Sequence, residues 1–410
     1  MNDVITGIDL GTSKVCTIIG QSDKNGEIQI IGIGNYPCNG VKKGVVVDID
    51  TTAFAIKKSI EQAERMANQK VLSVYLKIPG GLTKVYRNRG LVAVTREDRE
   101  ITHQDVERVL QAARIIAISS DKQIIDIIPM EYIVDGYGEI RDPVGMAGLR
   151  LEVDAAIVTG SVTAVQNMEK CVKRAGFDVA GIVVEPLATT EAVMTKDERE
   201  LGAALIDVGA GITDISVFKS GNMVYSALIP VGGDHITNDL SVGLKISCEE
   251  AENIKKKYGS VLRVVEGDSN KIKISNITNK NLSEISINEI VDIIEARVSE
   301  ILSIAYEQMN KSGVMELVST NIVITGGGIT FLKGSGELAQ EIFNKNVRIG
   351  VPDIIGVSTP VYSAGVGIIK YMNGHKKNTY KNQNETTKTK RKMGSRLINK
   401  IKEIFNDFWA

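Results

Sequence analysis

The sequence predicts a mixed α/β protein of two similar domains, with a small α+β module inserted in the first and a polar tail ending in an amphipathic helix. Three observations predict this. The stretch Ala204 to Phe218, ALIDVGAGITDISVF, reads as strand, tight turn and strand. Its core Ile206-Asp207-Val208-Gly209-Ala210-Gly211 repeats Ile8-Asp9-Leu10-Gly11-Thr12-Ser13 near the N-terminus, and two similar units far apart imply two similar domains. After His375 the composition changes abruptly to Lys, Asn, Thr and Gln. A chain of 410 residues has room for this plan, because single cores rarely grow beyond about 250 to 300 residues.

The repeated hairpin also carries chemistry. Glycine lets a turn take positive φ and brings backbone N–H groups close to a bulky anion such as a phosphate. Gly11, Thr12, Ser13 and Lys14 in the first hairpin, and Gly209, Ala210, Gly211 and Thr213 in the second, are therefore candidate phosphate contacts. Asp207 and Asp214 bracket an anion-sized gap, and Asp9 is the counterpart of Asp207 in the first copy. Carboxylates beside a polyphosphate repel it unless a cation such as Mg²⁺, held through water, lies between them. Glycines that serve only the turn are the plainer alternative. If the two hairpins face each other, they grip one nucleotide from opposite sides. A third glycine stretch, NIVITGGGITFLKG from Asn321 to Gly334, ends an apolar strand in Gly326-Gly327-Gly328, a bare backbone that can lie flat against a base or ribose.

In chain order, strands at Val4 to Asp9, Val15 to Gln21 and Ile28 to Tyr36 lead to a helix capped by Asp50 or Thr51, with Phe54, Ile56, Ile60 and Ala63 as its buried stripe. Leu72 to Ile78 is another strand, and Gly80-Gly81 opens the insert, about Thr83 to Gly160. Within it a helix begins at Thr102 and Asp105 with Val106, Val109, Leu110, Ala113 and Ile116 on one face; strands follow at Gln123 to Ile128 and Glu131 to Val134. Ala164 to Gly176 is a helix closed by its glycine, and the strand at Ile182 to Val184 runs into Glu185-Pro186, where proline fits a first helical turn. Past the second hairpin, Ser247 caps a helix to Tyr258 on which Glu252 and Lys255 share a face. A long helix spans Asn288 to Lys311.

Taken together, IDLGTSKV, VEPLATTEAV, LIDVGAGITDISVF, SCEEAENIKKKYG, ITGGG and PVYSAGVGI resemble the actin, Hsp70 and sugar-kinase superfamily, and within it the FtsA family of bacterial cell-division proteins, over nearly the whole chain. The resemblance implies an actin-like two-lobed ATPase fold with duplicated ribonuclease-H-like domains around a cleft for ATP and Mg²⁺. The first lobe takes 1–82 and 161–203 with closing elements from 356–372, the insert 83–160, and the second lobe 204–355. It implies that Glu185 and Asp207 serve catalysis, Glu185 by orienting the attacking water, although a helix N-terminal charge is the other reading of Glu185. Asp9 and Asp207 would hold Mg²⁺ through water. Gly233 would lie by the cleft floor, with Glu252 and Lys255 meeting ribose and adenine beside Gly326, Gly327 and Gly328; a solvated ion pair is the alternative. The insert would serve self-association into a filament. The tip at about 245–315 would hold the C-terminal peptide of FtsZ, with Arg297 either a carboxylate contact or a merely exposed arginine. One departure is visible: Gly211-Ile212-Thr213-Asp214 lacks a hydroxyl that many relatives carry at the second position.

Forty-nine basic against fifty acidic residues give no overall attraction to nucleic acid. Four scattered cysteines without a CxxC pair argue against disulfides or zinc and fit a reducing cytoplasm. No apolar run reaches the roughly 18 residues of a spanning helix. The tail is different. A polar linker at 373–393 leads to 394–410, where Leu397, Ile398, Ile401, Ile404, Phe405, Phe408 and Trp409 fall, at about 100° per residue, within an arc of about 140°. Lysines at its edges and a basic cluster upstream suit anionic lipid on the cytoplasmic membrane surface. The expected function is an ATP-binding scaffold that self-assembles and anchors FtsZ filaments peripherally at the division site, with weak ATPase activity left open. The rival readings are an actin-like pilus-assembly protein and a small-molecule kinase of the same superfamily.

Overall fold

The computed structural model describes residues 4–23, 26–264, 271–275 and 282–375. The residues of the amphipathic helix expected at 394–410 and nearly all of the expected linker lie outside them.

The first lobe begins with a meander of β1 (Val4–Leu10), β2 (Lys14–Ser22) and β3 (Ile28–Pro37). A small hairpin follows, β4 (Val41–Lys42) and β5 (Val45–Val46), and then α1 (Ile49–Ala67) and β6 (Ser73–Ile78). The cap of α1 is Asp48, earlier than the expected Asp50 or Thr51, because its carboxylate reaches the N–H of Thr51 at 3.0 Å. Phe54 is not in the buried stripe. The helix crosses β3 so closely that a Cβ on Gly34 would lie 1.8 Å from the Ser59 carbonyl oxygen. Thr52, Ala53, Ala55 and Ser59 with Ile56, Ile60 and Ala63 are the buried residues of α1, and Phe54 stays exposed against the edge of Tyr36.

The insert is a four-stranded sheet of order β7-β10-β8-β9, formed by β7 (Thr83–Ala93), β8 (Lys122–Val134), β9 (Tyr137–Ile140) and β10 (Arg150–Ser161), with α2 (His103–Ala113) on one face. The two strands expected at 123–128 and 131–134 are one strand, β8. Its register against β10 shifts where Pro129, which has no N–H to donate, faces Ala155 and Glu131 faces Asp154. Thr102 and Asp105 form the capping box of α2, and Val109 and Ala113 are buried beneath it. Tyr371 donates its hydroxyl proton to Asp126 of β8 at 3.0 Å, tying the insert to the last helix.

After α3 (Val162–Ala175) the chain forms β11 (Asp178–Val184), α4 (Glu185–Val193) and α5 (Lys196–Leu201). The second lobe contains β12 (Ala203–Val208), β13 (Thr213–Lys219), β14 (Asn222–Ile229), α6 (Gly233–Leu244), α7 (Cys248–Tyr258), β15 (Lys271–Ser275), β16 (Leu282–Ser286), α8 (Ile287–Lys311), β17 (Asn321–Thr325), α9 (Ser335–Phe343) and β18 (Asn346–Ile349). A final helix, α10 at 363–375, returns to the first lobe, where Ile369 would touch a Cβ placed on Gly20.

The two lobes share one topology. The first sheet runs β3-β2-β1-β6-β11 and the second β14-β13-β12-β17-β18, each an antiparallel meander whose first strand pairs in parallel with a later strand. Each sheet is covered by helices, and separate clusters of fully buried Ile, Val, Leu and Ala fill the two lobes. The lobes are joined at the back by buried Glu198 of α5, which accepts from Asn321 at the start of β17 and from the Arg348 fork of β18.

Candidate functional site

The two hairpin turns face each other at the mouth of a cleft of about 1310 Å³ between the lobes. Each turn closes the same way: Gly11 N–H donates to Lys14 O at 3.0 Å, and Gly209 N–H to Ile212 O at 2.9 Å. Neither these glycines nor Gly211 adopts positive φ, contrary to the expectation from sequence. Space is what they supply. A Cβ on Gly211 would lie 2.8 Å from the Thr12 side chain, so the tip of one hairpin can approach the other only where there is no side chain. Gly11, Thr12, Ser13, Lys14, Gly209 and Ala210 line the cleft. Thr213 does not; its hydroxyl donates to Val231 O at 2.8 Å.

Charge collects on the cleft floor. Asp9 is the last but one residue of β1 and Asp207 of β12, Asp214 lies on β13, and Glu185 opens α4 after the strand β11 that pairs with β6. Among them stands Lys77, a residue not singled out from the sequence. Its ammonium lies 3.0 Å from Asp9 Oδ1 and donates to Glu185 Oε1. Burial alone would weaken the lysine's hold on its proton, but Asp9, Glu185 and Asp207 reverse this and strengthen it. Burial pushes Glu185 upward, with Asp9 adding to the shift. Asp207 is pushed up to about 7 by burial and then by Glu185. Asp214 is held well above the ordinary carboxylate range by burial and Glu185, against the N–H of Gly81, which donates to its Oδ1 at 2.9 Å.

Carboxyl groups whose charge is disfavoured first by burial and then by one another form a site suited to a cation. Glu185 Oε2 is buried with no hydrogen-bond partner, which agrees with a water or ion belonging there. Among the described residues no group of three or more His, Cys, Asp or Glu side chains converges as a ready set of metal ligands.

The opposite wall suits a nucleoside. Gly326 takes φ +86°, and a Cβ there would lie 2.3 Å from Asp207 Oδ1; a Cβ on Gly328 would strike the Gly209 carbonyl oxygen at 2.5 Å. Gly233, Glu252, Lys255, Gly327 and Gly328 line the same space. Glu252 and Lys255 pair at 2.6 Å, and the lysine, itself buried, also donates to Gly233 O and to Thr237 Oγ1. The pair is thus built into the wall rather than solvated. His235 accepts from the Gly232 N–H at 3.2 Å and starts α6.

Arg297 is not a merely exposed arginine, because it is paired within the chain. Its fork holds Asp239 of α6 at 2.6 and 3.1 Å, and Nη1 donates to Glu300. The candidate membrane residues Leu397, Ile401, Ile404, Phe405, Phe408 and Trp409 lie outside the described residues. No described helix is long and apolar enough to cross a membrane.

Comparison with known proteins sets this cleft in a family. Residues 204–367 match the family model described as cell division protein FtsA, and 80–159 match the SHS2 domain inserted in FtsA. A model of the type IV pilus assembly protein PilM matches 146–261. The chain is 38% identical to cell division protein FtsA of Pseudomonas aeruginosa, over 90% of this chain and 89% of that one. It is 40% identical to that of Bacillus subtilis, over 90% and 83% of the two chains. Among solved structures it is similar to a PilM-PilN type IV pilus biogenesis complex (TM-score 0.61, 14% identity, 90% and 98% covered). It is also similar to MreB5 of Spiroplasma citri bound to ADP (TM-score 0.55, 18% identity, 92% and 98% covered).

Proposed function

This chain belongs to the FtsA family of cell division proteins, and from that premise we propose that it is an ATP-binding, actin-like scaffold that self-assembles and ties FtsZ filaments to the cytoplasmic membrane. The observation that carries the nucleotide part is the cleft itself: two glycine turns that meet at Thr12 and Gly211 over a charged floor of partly buried Asp9, Lys77 and Asp207 with buried Glu185 and Asp214. In this reading the N–H groups of residues 12–14 and 210–211, with those of Gly11 and Gly209 spent on closing the turns, hold the phosphates, and the 326–328 backbone with Glu252 and Lys255 holds the nucleoside. Mg²⁺, when bound, supplies charge neutralisation between the phosphates and Asp207. Glu185 holds or accepts a proton from water at its free Oε2. Ile212, which stands on the wall without a hydroxyl, leaves this task to the carboxylates and favours slow hydrolysis.

The partner half of the proposal rests on the family. The insert serves contacts between protomers, and the 245–315 tip, whose helix α8 is locked to the neighbouring α6 by Arg297 and Asp239, presents the surface for the acidic and apolar C-terminal peptide of FtsZ. The helix proposed at 394–410 lies in the plane of an anionic membrane. The pilus reading has only a distant fold likeness behind it. Co-sedimentation tests the proposal: full-length protein should carry FtsZ filaments down with anionic liposomes, and removal of residues 394–410 should leave FtsZ binding but abolish the liposome step. FtsZ that stays in the supernatant with the full-length protein would count against the scaffold.

A further inference from the structure

We propose that Lys77 is a built-in cation of the nucleotide site, placed between Asp9 and Glu185 where two carboxylates would otherwise need a metal ion, so that this chain holds ATP with a reduced need for a divalent cation. The inference rests on the ATP reading above and deepens it.

Four observations carry it. Lys77 reaches the cleft floor from a central strand, with Nζ 3.0 Å from Asp9 Oδ1 and a bond to Glu185 Oε1. It lines the same space as Gly11 and Gly209, where the hairpins would hold phosphate. An ammonium has three N–H donors; Glu185 accepts one, and Asp9 lies at ion-pair distance with its Oδ1 not hydrogen-bonded, so donors remain for a phosphate oxygen. Finally, the fold does not require a charge there. Ile8 pairs with Leu76 and Ile206 with Ile324, so Lys77 and Thr325 are the next residues on equivalent strands, and the second lobe closes at that place with an uncharged threonine.

A lysine that only bridges strand and helix would leave the metal dependence of binding untouched, and this separates the two roles. Binding of ATP to the full chain is measured by calorimetry with Mg²⁺ and with EDTA, for the wild type, Lys77→Met and Lys77→Arg. The wild-type Kd should rise by less than about tenfold when EDTA replaces Mg²⁺, whereas Lys77→Met should show a further rise of about tenfold to a hundredfold in EDTA. Lys77→Arg should recover much of the difference. An equal EDTA penalty in wild type and Lys77→Met overturns the proposal alone; absence of ATP binding to the wild type under both conditions overturns it together with the ATP reading. Should Lys77→Met not fold, the wild type decides: a loss greater than about tenfold in EDTA overturns the built-in cation, and a smaller one supports it.

Discussion

In the first lobe the strand parallel to the hairpin brings a lysine beside Asp9, and in the second lobe the equivalent strand brings Thr325 beside Asp207. Thr325 is fully buried, donates to Gly350 O at 2.9 Å and shares a 2.7 Å hydrogen bond with Ser363; next to it Gly326 turns the backbone with φ +86° against Asp207. One duplicated backbone has thus been given opposite chemistry. The first copy places charge at the floor, while the second leaves bare backbone and an aspartate whose negative charge has no fixed partner. On the proposed reading this difference would divide labour across the cleft: the first lobe would compensate phosphate charge, and the second would accommodate the nucleoside and a cation.

The largest expected effect comes from breaking the first copy. Lys77→Met leaves Asp9 and Glu185 buried without their cation, and the nucleotide-free protein should lose about 3 kcal/mol in urea unfolding at pH 7. A loss below about 1 kcal/mol would mean that the pair is screened like a surface ion pair. Next is the second copy. Asp207→Ala removes a carboxylate that burial already disfavours, so stability without ligand should not fall. The ATP·Mg²⁺ stabilisation should vanish, a loss of about 2.7 kcal/mol at a ligand concentration a hundred times Kd. A wild-type melting shift in Asp207→Ala would remove Asp207 from the site.

How far the sequence reveals this contrast depends on whether the signal is local. Both hairpins, the 326–328 glycines, Glu185 before its proline and the Glu252–Lys255 spacing are written in short stretches, and each of these lines the cleft except Gly211, which meets Thr12, and Thr213, which bonds Val231. Lys77 is invisible to such reading because its partners are set by the register of β6 against β1 and β11, pairings across distant segments. A signal did exist. Leu76-Lys77-Ile78-Pro79-Gly80-Gly81 and Ile324-Thr325-Gly326-Gly327-Gly328 both end an apolar strand in glycines, and extending the repeat that far would have set Lys77 opposite Thr325. The insert illustrates another limit. β7 is an edge strand with mostly exposed residues, so the alternation that marks a half-buried strand is lost, and the strand is not legible from its sequence.

A third expected outcome sharpens the comparison from the neutral side. Thr325→Val keeps the shape but strands the Gly350 carbonyl and the Ser363 hydroxyl, and should cost about 2 kcal/mol of stability. Because no charge is lost, the calorimetric Kd for ATP should stay within about threefold of wild type, where Lys77→Met changes it strongly in EDTA. A large affinity change in Thr325→Val would show that the two equivalent positions do the same work.

The smallest expected effect is a pH dependence that belongs to the second copy. Asp207 titrates at about 7 in the folded protein against 3.8 for an ordinary aspartate, because burial and then Glu185 disfavour its charge. The folded state therefore binds more protons than the unfolded state between these values. By linkage this group's contribution is greatest below the lower value and falls as pH rises through the upper one, the reverse of an ion-paired acid. Ligands should sense the same proton with opposite signs. A cation held through Asp207 prefers it ionised, so ATP·Mg²⁺ affinity should rise by up to about tenfold between pH 6 and 8, as the group passes from about nine-tenths protonated to about nine-tenths ionised. With EDTA present, the ionised carboxylate repels phosphate and the trend should reverse. ATP itself also titrates in this range, so Asp207→Asn is the control that removes the protein's share. If wild type and Asp207→Asn gave parallel Kd profiles under both conditions, Asp207 would have no titration in the cleft, and its contrast with the paired Asp9 would fail.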